Sequence, residues 1–165
     1  MVATPINPSV RFSALGDLTV LFVPVIAAST LIPTRAEIDA GTDLSAELME
    51  PPTGFRYVAG DIEMPGLQRV TGTLAGRITF EESSMMLYAD RGGDDVSDVM
   101  PADTTGYILL MDTGDTPTEL MDVWQVKVKT CSRQRSTDAA TMWMVQFAFP
   151  SGRLPAEKVV IPAAA

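Results

Sequence analysis

Apolar and polar positions along the chain alternate far more often at the period of a strand than at that of a helix. Residues 18–27 are rich in Val, Leu, Phe and Ile and have no polar face, the pattern of a strand covered on both sides. Pro24 lies inside this run and cannot donate a ladder hydrogen bond, which predicts a sheet edge or a bulge. Residues 74–82 alternate: Leu74, Gly76, Ile78 and Phe80 fall on one face and Ala75, Arg77, Thr79 and Glu81 on the other, predicting a half-buried strand. Further strands are predicted at 85–89, 106–111, 122–130, 141–149 and 158–161. Trp124, Val126 and Val128 point inward from one, and Trp143, Val145, Phe147 and Phe149 share a face of another. The polar residues 132–140 predict a hairpin connection.

Helix signals are few and short. Thr34 stands three residues before Glu37, the spacing of a capping box, and Gly41 follows at the C′ position. The predicted helix has about two turns, so it depends on packing of Ile38. Thr116 and Glu119 repeat the spacing and predict a helical turn, and Asp94 or Asp95 is placed to cap a short helix running to Met100. Residues 42–66 show no helical period. Pro51-Pro52 and Thr53-Gly54 mark a turn there, and residues 55–64 read as a strand with a weak face. The sum is a mainly β fold, an antiparallel β-sandwich or barrel with one flanking short α-helix and a long extended arm. One domain spans 1–165, with its core at 10–161 and the arm at 44–66.

Composition narrows the function. At 165 residues, 46% hydrophobic and 20% charged, the chain can bury a real core. A net charge of -9 argues against a surface that grips nucleic acid. With no histidine and a single cysteine, Cys131, the commonest general base, the commonest zinc ligand and any internal disulfide are absent. Cys131 reads as a packed thiol in a strand. No basic-then-apolar leader is visible at the N-terminus, and Pro24 breaks the apolar run too early for a membrane helix.

One motif speaks for catalysis. Asp112-Thr113-Gly114 follows an apolar strand, as in single-motif aspartic proteases, where a homodimer pairs two carboxylates around one proton. Asp115 adds an adjacent carboxylate that disturbs such a pair, and Asp-Thr-Gly is equally a turn sequence. Residues 90–95 lack the ligand spacing of a calcium loop. No catalytic, cofactor-binding or metal-binding residue is assigned, and no cofactor is expected.

The joint order of several segments resembles the major tail (tail tube) proteins of long-tailed, non-contractile phages infecting actinobacteria. The segments are Val23-Pro24, residues 33–44 (PTRAEIDAGTDL), 76–81 (GRITFE), 106–108 (GYI), 122–126 (DVWQV) and 144–149 (MVQFAF). The resemblance implies a structural virion protein. Six copies close a ring, and rings stack into a hollow tube that delivers double-stranded DNA without binding it specifically. Its other partners would be tape measure, terminator and distal tail proteins. It implies assembly in the phage tail after synthesis in the bacterial host cytoplasm, with no membrane insertion. On this reading Leu21, Val23, Pro24, Val25, Leu44, Leu48, Phe55 and Tyr57 are expected at the subunit interface. Glu47, Glu50, Asp61, Glu63 and Glu81 are expected to face the lumen. Besides the aspartic protease dimer, two alternatives stand beside it: a terminator or adaptor that makes a single ring, and a β-sandwich binding module. The inward-facing aromatics count against the last.

Overall fold

A single long strand, β7 (Leu120–Gln134), organises the molecule. The computed structural model describes residues 13–14, 16–64, 72–92, 96–150 and 152–163. In chain order its other elements are β1 (Thr19–Val23), α1 (Arg35–Asp39), β2 (Thr42–Asp43), β3 (Tyr57–Met64), β4 (Gly72–Phe80), β5 (Ser83–Tyr88), α2 (Val96–Val99), β6 (Thr105–Met111), β8 (Met142–Ala148) and β9 (Ala156–Val160). One antiparallel sheet runs β2-β1-β6-β7-β8-β5, with β9 also paired to β7, while β3 and β4 form a separate two-stranded ribbon. One edge of β7 holds β6. Its other edge holds β9 against Leu120–Val123 and β8 against Lys127–Gln134, with bulges that let the sheet curl.

The curl is closed by residues 44–53. At one end the Leu44 N–H donates to the Val20 carbonyl (2.9 Å) and the Val20 N–H to Ser45 Oγ (2.9 Å). At the other end the Met49 N–H donates to the Met86 carbonyl (3.0 Å), and Thr53 and Ser84 exchange backbone bonds of 3.0 and 3.1 Å. Both outer strands are thus tied to one strap, and neither presents a bare edge. The interior holds Val20, Phe22, Leu44, Met85, Leu87, Ile108, Trp124, Val126, Val128, Val145 and Phe147, drawn from β1, β5, β6, β7 and β8 and from the strap.

A second core lies on the outside of β1, β6 and β7, where Leu21, Val23, Leu109, Met111 and Val123 pack against Ile26, Leu31, Ile38, Val159 and Ile161. This explains why residues 18–23 lack a polar face: both faces are covered, and by the chain itself. The strand ends at Val23, so Pro24 stands beyond the ladder rather than within it. Phe22 lies over Gly106 on the neighbouring strand, where a Cβ would come within 2.5 Å of the phenyl ring.

α1 forms as its sequence predicts. Thr34 Oγ1 accepts from the Glu37 N–H, and Glu37 Oε2 accepts from the Thr34 N–H (2.7 Å). Glu37 Oε1 also accepts from the Ala27 N–H (2.7 Å), which pins the preceding loop to the helix. Gly41 follows because a Cβ there would meet Val23 Cγ2 at 2.9 Å. These backbone donors hold the Glu37 carboxyl below its usual range. A carboxylate with a lowered folded pKa contributes stability above its unfolded pKa and loses it as pH falls through the folded value. Wild type should therefore unfold at a higher temperature than Glu37→Gln at neutral pH. That difference should shrink as the pH drops below 4.5, the ordinary value for this group. Thermal unfolding followed by circular dichroism at a series of pH values checks this; a pH-independent difference refutes it.

Two expectations need correction. Residues 116–119 form a turn, not a helical one: Thr118 has a φ of 76°, its N–H donates to the Ile161 carbonyl (3.1 Å), and the Ile161 N–H donates to the Glu119 carbonyl (2.8 Å). Pairing with the chain end captures the backbone that a helix would need. The arm assigned to 44–66 is also displaced. Residues 44–53 belong to the closing strap, and the projecting element is the β3–β4 ribbon, which spans 57–80. The caps expected at Asp94 or Asp95 lie outside the described residues, and α2 begins immediately after them.

Candidate assembly surfaces

The ribbon is rooted in aromatic side chains. Phe55 meets Trp124 edge-on with centroids 5.6 Å apart, and Phe80 stacks on Phe149 at 4.6 Å. Tyr57 pairs with Phe80 across the two strands, and Arg56 Nε donates to Glu81 Oε2 (2.5 Å) on the opposite face. Above this root, Gly60 opens a bulge, and Gly76 is needed beside it because a Cβ would lie 2.9 Å from the Gly60 carbonyl oxygen.

Pairing sorts the ribbon's side chains. Ile62 opposes Leu74, Ala59 opposes Ile78 and Tyr57 opposes Phe80, so one face is apolar along these pairs. Glu63 opposes Thr73, Asp61 opposes Ala75 and Val58 opposes Thr79, giving a mostly polar second face that also carries Arg77 and Glu81. Beyond the root the apolar face is uncovered: Ile62 is 54% exposed, Leu74 53% and Ile78 43%. The alternation of residues 74–80 is thus a true strand signal, but only Phe80 of its apolar face packs against the core. A period of two shows that a strand has an apolar face, not which molecule covers it.

A second exposed apolar area lies on the outer side of the curl. Met49, Met86 and Met144 stand side by side on the strap, β5 and β8, and Tyr88 pairs with Met142 in the next row. Their register places these side chains opposite to the buried Leu87 and Val145. In the structure Met85 is core, while Met86, Met142 and Met144 are half-buried on the outer face.

The expected interface residues divide. Leu21, Val23 and Leu44 are buried in the chain's own core, because β1 is covered by α1, β9 and the strap. β1 is thus covered on both faces by its own chain, and Leu21, Val23 and Leu44 are placed in the core rather than at the surface where they were expected. Leu48, Phe55 and Tyr57 are half-buried against that core, and Pro24 and Val25 are exposed after the strand. The five acidic residues do not form one group. Asp61, Glu63 and Glu81 share the ribbon's polar face, whereas Glu47 and Glu50 sit on the strap. Asp112-Thr113-Gly114 is a turn, with Gly114 at a φ of 76°, and Asp115 accepts two hydrogen bonds from the Arg35 guanidinium. The carboxylate beside the motif thus clamps α1 to the sheet and holds Arg35 more firmly protonated. Among the described residues no group of acidic or cysteine side chains is arranged to hold a metal ion, and no helix is long and apolar enough to cross a membrane.

A family model for phage tail tube proteins matches residues 5–164. The chain belongs to the phage tail tube protein family. No curated protein matches it. Membership makes this a structural component of the virion tail, and it makes other copies of the tail tube protein, with other tail proteins, the partners of its surfaces. The match spans the strap, the ribbon and both cores, so the elements described above are those of a tail tube protein throughout.

Proposed function

We propose that six copies of this chain close into a ring and that rings stack into the hollow tube through which DNA passes to the host. The observation that carries this reading is the β3–β4 ribbon. It is a two-stranded arm with an apolar face that its own chain leaves uncovered. A lone ribbon of this kind is marginal in water and gains stability by lying on another molecule. Pro24 and Val25 add exposed apolar surface for neighbouring subunits. An acidic chain supports passage of DNA without adhesion, since phosphates find few cations to neutralise them. Asp61, Glu63 and Glu81 on the ribbon, with Glu47 and Glu50 on the strap, are proposed to face the lumen. Tape measure, terminator and distal tail proteins complete the partners, the subunit is made in the host cytoplasm, and its role is structural rather than catalytic.

Purified protein should form rings or tubes in negative-stain electron micrographs. A monomer at every concentration and salt tested would refute the proposal. Single rings that never stack would move the assignment to a terminator or adaptor.

A further inference from the structure

No further inference is drawn: the strongest candidate, the outer face of β5, β8 and the strap where Met49, Met86 and Met144 stand side by side, is an unpartnered apolar surface flanked by Glu47 and Glu50 on the strap, and nothing in the structure shows what covers it.

Discussion

Replacing Gly54 with alanine is expected to lower the melting temperature by roughly 10–15 °C, from a cost of about 4 kcal/mol in a domain of this size. Gly54 has a φ of 77°, and a Cβ there would stand 1.9 Å from the Glu82 carbonyl oxygen. The left-handed backbone alone costs an L-residue about 1–2 kcal/mol. Relieving the clash means moving the strap off β5. The wholly buried Ser83 then loses its 2.7 Å bond to the Gly54 carbonyl, and the two Thr53–Ser84 backbone bonds open. Ser83 Oγ keeps only its longer contact with the Glu81 carbonyl (3.4 Å), so its lost bond costs about 1 kcal/mol, and each ladder bond about 1. Gly92→Ala is the control, because nothing lies within 4 Å of a Cβ at that position. Differential scanning calorimetry of both variants decides the matter. A Gly54→Ala midpoint within about 3 °C of wild type would show that the strap does not hold the barrel shut.

Removing the outer ribbon should have the opposite profile, with folding kept and assembly lost. Residues 59–78 can be replaced by Asn-Gly, a two-residue turn suited to the facing pair Val58 and Thr79. Tyr57 and Phe80 remain, so the aromatic root against Trp124 and Phe149 is preserved. The shortened protein should melt within about 5 °C of wild type, since none of the described residues removed is buried in the core. It should form no tubes in electron micrographs under conditions where the wild type does. A cut placed at 53–61 would be uninformative, because it takes Phe55 from the core and Thr53 from the strap. Tubes of normal length from the shortened protein would separate the ribbon from assembly.

Local interactions were legible in the sequence, and distant ones were not. The box of Thr34 and Glu37 acts over three residues, so spacing alone reveals it. The apolar run at 18–27 predicts a strand covered on both faces, and the strand forms at Thr19–Val23. What covers it, Ile38 on one element and Val159 and Ile161 far along the chain, is set by topology. The box at Thr116 fails for the same reason, since Ile161 takes the backbone first. Of the assembly surfaces, the apolar face of Leu74 and Ile78 is visible as the alternation of a half-buried strand, which does not say what covers it. The row of Met49, Met86 and Met144 joins three segments that only the strand register brings together.

Between β4 and β5 there are only two residues, Glu81 and Glu82, and the Thr53–Ser84 pair lies directly beside that junction. If the ribbon links subunits as proposed, a load on the assembled tail pulls on the ribbon. Tension at the ribbon tip travels down β4 straight into β5, along the strand axis. Backbone bonds loaded along that axis must slide together, whereas bonds loaded across it open one after another. In that proposed role the ribbon is a tension member spliced into the curled sheet, and the stiffness of the sheet becomes the stiffness of the joint.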